Sequence, residues 1–183
     1  ISIGLVGSEM CIRDSAWPNA SAPLALVAVR GAESRESNAD AASISNEAEC
    51  AALVKVVREL LATVAERDIG VITPYAAQAR LIRDALAGDV EVNTVDAYQG
   101  REKDVVLIST VRSNEKGNLG FVADDRRLNV ALTRARRAVV VVGDPGTLAS
   151  DDTWRAFVAR CEEDGCCVEG PSSEIATTPP PVM

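Results

Sequence analysis

The sequence has no histidine. That excludes histidine general acid–base chemistry, Ser-His-Asp triads and histidine metal sites. Aromatic residues are only 3% of the chain, so a core has to be built from Ala, Val, Leu and Ile. No apolar run approaches the ~20 residues that span a bilayer, and no membrane partner is expected. The five cysteines (Cys11, Cys50, Cys161, Cys166, Cys167) form no CxxC pair and are odd in number. Three clustered thiols without a fourth ligand do not make a zinc site, so free thiols in a reducing, intracellular setting are expected and no metal ligands are assigned. Cytoplasm and nucleus are not distinguished, nor is the oligomeric state.

What is present is 183 residues, 47% hydrophobic and 25% charged, with a net charge of −8. This is enough chain for one globular domain with a core. An acidic whole argues against nucleic-acid binding by overall charge. The charge is uneven, however: Arg101 to Arg137 holds nine basic residues against five acidic ones. A basic stretch in an acidic protein points to a focused anionic partner such as a phosphate.

The chain opens on Ile1 rather than Met, and residues 1–15 fit poorly with the rest of the chain. They lack the basic start and apolar centre of a signal peptide and are expected to be a non-native or loosely ordered leader. Residues 170–183, rich in Pro, Ser and Thr, are expected to be a disordered tail. One domain is expected over 24–165. Strands are expected at Leu24–Val29, Gly70–Thr73, Val90–Val95, Val105–Val111 and Ala138–Val142. Helices are expected from Ser45 or Asn46 as cap to about Arg67, over Ala76–Leu86, from Asp124 or Asp125 through Ala135, and over Thr153–Glu163. This alternation gives an α/β fold with a mainly parallel central sheet flanked by helices.

Ligands of parallel sheets sit at the carboxyl ends of strands, and three polar segments are expected at such ends. In Ile72-Thr73-Pro74-Tyr75-Ala-Ala-Gln78-Ala-Arg80, Pro74 stops the strand and sets Thr73 and Tyr75 at the rim. In Asn93-Thr94-Val95-Asp96-Ala97-Tyr98-Gln99-Gly100-Arg101-Glu102, a dense polar loop separates two apolar strands. Gly100 allows close backbone approach, Thr94 suits a phosphate, and Glu102 can accept from a ribose or orient a basic group. In Arg126-Arg127-Leu128-Asn129-Val130-Ala131-Leu132-Thr133-Arg134-Ala-Arg136-Arg137, a basic edge runs beside an apolar helix face, which invites a phosphate. The plain readings are a strand-to-helix turn, a solvated loop and a solvated helix face.

Together, ITPYAAQ, TVDAYQGREKDVVLISTVRSN and GFVADDRRLNVALTRARRAVVVVGD resemble motifs IV, V and VI of superfamily 1B helicases, nearest the up-frameshift and senataxin group. SISNEAEC resembles the segment before motif IV, and the resemblance runs from Leu24 to about Val158. It implies a second RecA-like domain of the phosphate-loop NTPase type without its own Walker A motif; no GxxxxGK[ST] is present. The partner would be the first RecA-like domain, with ATP and Mg²⁺ held mainly by that domain and single-stranded RNA or DNA lying across both.

The resemblance assigns Arg134 as arginine finger, with Glu102 and Gln99 beside it as catalytic residues. It assigns Tyr75, Gln78, Arg80, Gly100, Glu102 and Arg134 to the nucleotide. Thr73, Pro74 and Thr94 are assigned to the nucleic-acid backbone. Many relatives carry a basic residue directly after the motif IV tyrosine; Ala76 stands there here, and Arg80 is the substitute. Arg134, Glu102 and Gln78 are expected to converge at one sheet edge, facing one nucleotide. Other readings are a non-catalytic nucleic-acid or protein binding module, a dinucleotide enzyme (which lacks its GxGxxG here) and a nuclease–helicase fusion.

Overall fold

The computed structural model describes residues 23–35, 44–88 and 90–170. The leader expected over 1–15 lies outside them, as does the tail expected over 170–183 apart from Gly170. Six strands form one parallel sheet in the order β5-β4-β6-β7-β1-β8. They are β1 (Leu24–Ala28), β4 (Ile69–Thr73), β5 (Glu91–Thr94), β6 (Lys103–Ser109), β7 (Ala135–Gly143) and β8 (Cys167–Glu169). A two-residue antiparallel pair, β2 (Ser34–Arg35) and β3 (Ile44–Ser45), stands apart. Central β6 and β7 are continuous Val, Leu and Ile runs because a parallel sheet is covered on both faces.

Helices α1 (Glu47–Leu60) and α2 (Ala76–Leu86) cover one face, packing Leu53, Val57 and Ile82 on Val71, Leu107 and Val140. Helices α3 (Asp125–Leu132) and α5 (Asp152–Glu163) cover the other, with Leu128 and Trp154 against Val106, Val139 and Val141. A single turn, α4 (Pro145–Leu148), links β7 to α5. The result is a three-layer α/β domain with a parallel sheet, as the alternation predicted, and it has the RecA-like form that the family resemblance implies.

The structure decides both open caps, and some element ends differ from expectation. Asn46, not Ser45, caps α1 by accepting from the Glu49 N–H at 3.1 Å. The helix ends at Leu60 rather than near Arg67, and the Leu60 carbonyl accepts from Val64 N at 2.8 Å and Thr63 N at 3.0 Å as the chain turns away. Asp124 caps α3 by accepting from Arg126 N and Arg127 N. That helix stops at Leu132, and Ala135 already belongs to β7. Edge strand β8 lies past the expected domain end, and Gly170 N still donates to Ala28 O at 2.8 Å. Among the described residues, no helix is long and apolar enough to cross a membrane.

Candidate functional site

The expected site residues fall into two groups at opposite edges of the sheet. At the carboxyl edge, β4 and β5 end side by side with Thr73 paired to Thr94, and Val95 N donates to Thr73 O at 3.3 Å. Thr73, Pro74 and Thr94 are thus brought together. Pro74 and Thr94 are half-buried, whereas Thr73 is fully covered and its Oγ1 accepts from Tyr75 N at 3.5 Å.

Tyr75 and Gln78 belong to this edge and are 1% and 0% exposed. Tyr75 Oη accepts from Arg112 Nη1 at 3.3 Å, and its ring meets Phe121 at 5.7 Å between centroids. Gln78 spends its amide on Asn46 and Ser109. Arg80 is exposed on α2.

The amino edge holds the other group. Lys103 opens β6 and Ala135 opens β7, and the two are paired. Lys103 N donates to Arg134 O at 3.0 Å, so Arg134 and Glu102 sit on adjacent strand entrances. Glu102 is exposed and accepts from Arg136 Nε at 3.2 Å. The Arg134 guanidinium folds back on the end of α3, donating to Val130 O at 3.0 Å and Thr133 Oγ1 at 3.2 Å. A cation suits that carbonyl-rich helix end.

Gln99 and Gly100 are exposed on the loop that descends to Glu102. Gly100 adopts φ +79°, where glycine is preferred. The loop is anchored by Tyr98, fully buried over Gly70, where any Cβ would run into the Tyr98 hydroxyl.

Arg134 and Glu102 therefore stand on neighbouring strand entrances at the amino edge, whereas Gln78 lies at the carboxyl edge. Seven-residue β6 separates the groups, roughly 20 Å at the usual rise per strand residue. The expectation fails because it sets the motif V and VI segments after strands. Their ends at Glu102 and Arg134 instead lead into β6 and β7, and so lie at the amino edge.

The basic stretch is also more occupied than its net charge implied. Arg101 and Lys103 pair with Glu91, Arg127 with Asp96, Arg136 with Glu102 and Arg137 with Asp104. Arg112 is 4% exposed and bound to Glu33, which also accepts from Ser113 N and Asn114 Nδ2. Burial pushes the Glu33 carboxyl up, but these donors and the Arg112 charge outweigh it and hold the pKa below the usual carboxylate value.

Sequence reasoning missed Glu33, Glu49 and Arg112; the polar residues inside SISNEAEC and TVRSN were the available signal for the last two. Glu49 is completely buried and its pKa is raised to about 8, because burial outweighs donors from Val111 N, Ser109 and Thr110. Cys161 and Cys50 are pushed up to about 12 and about 11 by burial, which keeps both thiols protonated and unreactive. Among the described residues, no group of three His, Cys, Asp or Glu is placed to hold a metal ion.

The Tyr98 hydroxyl is buried with no hydrogen-bond partner among the described residues. Burial lifts its pKa to about 12. Tyr98→Phe is expected to leave the domain folded and raise its stability by about 1 kcal/mol, since an unsatisfied buried hydroxyl is removed. Chemical denaturation checks this; a loss of stability would mean the hydroxyl has a partner.

A family model described as "AAA domain" matches residues 6–146. A Regulator of nonsense transcripts 1 homolog of Neurospora crassa is 39% identical over 173 residues, 88% of this chain and 16% of its own length. The ATP-dependent helicase upf1 of Schizosaccharomyces pombe is 41% identical over 180 residues, covering 91% of this chain and 19% of itself. DNA polymerase alpha-associated DNA helicase A of Saccharomyces cerevisiae is 48% identical over 154 residues, 78% of this chain and 22% of itself. The chain thus spans less than a quarter of the length of these relatives. With the parallel sheet and the three motif segments in order, the chain belongs to the AAA-domain family and, within it, to the up-frameshift type of superfamily 1 helicases, whose second RecA-like domain it forms.

Proposed function

We propose that this domain works as the second motor domain of an ATP-dependent helicase acting on single-stranded RNA or DNA. Its amino edge faces ATP held by a first RecA-like domain, and its carboxyl edge forms part of the nucleic-acid track. The observation that supports this reading is the placement of Arg134 and Glu102 on adjacent strand entrances, where Lys103 N donates to Arg134 O at 3.0 Å. One cation and one carboxylate on a rigid edge suit a polyphosphate and its ribose.

Arg134 is the arginine finger. Its guanidinium leaves the end of α3 when the domains meet and binds the γ-phosphate, where its planar fork contacts two oxygens. Glu102 accepts from the ribose, with Gln99 and Gly100 alongside. Closure with ATP and opening after hydrolysis shift the two domains' grips on the strand. Pro74 and Thr94 contact phosphate and sugar, so binding is independent of base sequence. Thr73, Tyr75 and Gln78, being buried, support this surface from beneath. Arg80 lies on the neighbouring exposed turn and offers a phosphate contact. Mg²⁺ is assigned, with ATP, mainly to the first domain.

Joined to its first RecA-like domain, the chain is expected to hydrolyse ATP with stimulation by single-stranded oligonucleotide; alone it is expected to be inactive. Glu102→Ala in the joined protein is expected to raise the KM for ATP about tenfold, the cost of one good hydrogen bond. Steady-state kinetics decides. An unchanged KM removes Glu102 from the nucleotide, and activity of the isolated chain rejects the two-domain reading. A non-catalytic binding module would bind oligonucleotide without any ATP turnover in the joined protein.

A further inference from the structure

Where β6 ends, the chain turns a corner that a valine ordinarily avoids. Val111 has φ +69°, in the left-handed region that disfavours branched side chains. Both of its backbone polar groups are captured by the start of α1. Val111 N donates to Glu49 Oε2 at 2.7 Å, and Val111 O accepts from Asn46 Nδ2 at 3.1 Å. Asn46 is the cap of α1 and Glu49 the third residue of its first turn.

In a usual capping box that third-position carboxylate returns to the cap residue's own N–H. Here Gln78 Oε1 takes the Asn46 N–H instead, at 2.8 Å. This frees Glu49 to reach across to Val111. Gln78 Nε2 also donates to Ser109 Oγ at 3.0 Å, and Ser109 Oγ donates to Glu49 Oε2 at 2.7 Å. Asn46, Glu49, Gln78 and Ser109 are all 0% exposed. Strain held this tightly marks a geometry that the surroundings enforce.

The corner has a visible consequence. It turns Arg112 inward, where Nε donates to Glu33 at 2.9 Å and Nη1 to Tyr75 Oη at 3.3 Å. Tyr75 directly follows Pro74 at the ends of β4 and β5. The strained corner therefore braces the surface assigned above to nucleic acid, and leaves the Arg134 edge alone.

We propose that Asn46 and Glu49 are positioning residues that hold the Val111 corner and, through Arg112 and Tyr75, set the carboxyl-edge surface for single-stranded nucleic acid. This rests on the assignment of that edge under the proposed function. The test uses the full-length protein, with oligouridylate and oligothymidylate as probes. The readouts are the oligonucleotide concentration giving half-maximal ATPase stimulation, the KM for ATP and the unstimulated rate.

Glu49→Ala is expected to raise the half-stimulating concentration about tenfold, with the KM for ATP and the unstimulated rate within about twofold of the parent. Glu49→Gln keeps an acceptor for Val111 N and should match the parent. Glycine adopts the corner without strain, so Val111→Gly added to Glu49→Ala should restore stimulation. An unchanged half-stimulating concentration in Glu49→Ala overturns the proposal, as does an equal shift in the KM for ATP or a failure of Val111→Gly to rescue.

Should Glu49→Ala not fold, Asn46→Ser keeps the cap oxygen but deletes the donor to Val111 O. It should shift stimulation the same way, about threefold, and be rescued by Val111→Gly; no shift overturns the proposal. A parent protein with no stimulation at all overturns the functional reading itself, a result distinct from all of these.

Discussion

Arg134→Ala in the full-length protein is expected to cut ATP turnover by about 10³–10⁵-fold, the usual worth of an arginine finger. Affinity for single-stranded oligonucleotide should stay within about threefold of the parent, because the track proposed for the strand is on the other edge. The size of the effect follows from where the guanidinium sits. It is half-exposed, and its side-chain donors go to Val130 O and Thr133 Oγ1 at the end of α3. Truncation removes one helix-end cation, a matter of about 1 kcal/mol for the fold. Any loss of turnover beyond that is chemical.

Arg134→Lys separates charge from shape. A lysine keeps the cation but loses the fork that grips two phosphate oxygens, so it should recover only a small part of the loss. Single-turnover ATPase measurements with a parallel binding titration read both quantities. Normal turnover in Arg134→Ala would remove the residue from the nucleotide. An equal loss of oligonucleotide affinity would mean that the two edges are not separate sites.

The sequence made the architecture legible because its signals were periodic or local. The apolar runs at Val105–Val111 and Ala138–Val142 marked the two central strands. Asn46, Asp124 and Pro74 marked boundaries by capping and by stopping a strand. Short pieces escaped for want of such a signal. Strand β8 is three residues long and gains its place only by pairing with β1. The β2–β3 pair has two residues in each strand.

The site was legible by residue but not by arrangement. Arg134 and Glu102 are chemically conspicuous and stand on neighbouring strand entrances, Arg134 folded onto the end of α3 and Glu102 joined to Arg136. Gln78 is equally conspicuous, yet its amide is consumed by Asn46 and Ser109, partners 32 and 31 residues away. No spacing rule reveals a hydrogen bond of that reach. Nor does composition reveal that Arg112 turns inward, since that depends on the backbone of Val111. The net charge of the 101–137 stretch misled for the same reason. Its arginines meet carboxylates brought from elsewhere in the fold, such as Glu33 and Glu91.

Glu49→Gln is expected to stabilise the domain increasingly as pH rises from about 4.5 to about 8, reaching on the order of 3 kcal/mol at neutral pH. Glu49 is completely buried, and its folded pKa of about 8 stands far above the ordinary carboxyl value of 4.5. In the unfolded chain the carboxyl releases its proton near 4.5; in the folded domain it keeps the proton until about 8. Between those values the folded state binds more protons than the unfolded one, so raising the pH favours unfolding. Below about 4.5 both states are protonated and the group costs nothing; above about 8 the full penalty is present and the slope levels off.

Glutamine is neutral throughout and so carries no such dependence. Its carbonyl can accept from Val111 N and Ser109 Oγ as Glu49 Oε2 does, and its amide can face Thr110 Oγ1, which lies 3.4 Å from Glu49 Oε1. Urea denaturation at several pH values reads the difference between variant and parent. A difference that is flat with pH would show that Glu49 is ionised in the folded domain, with the three donors outweighing burial. A difference that grows with pH would establish that the Val111 corner is held by a protonated carboxyl under neutral conditions, which is why an uncharged isostere can replace it.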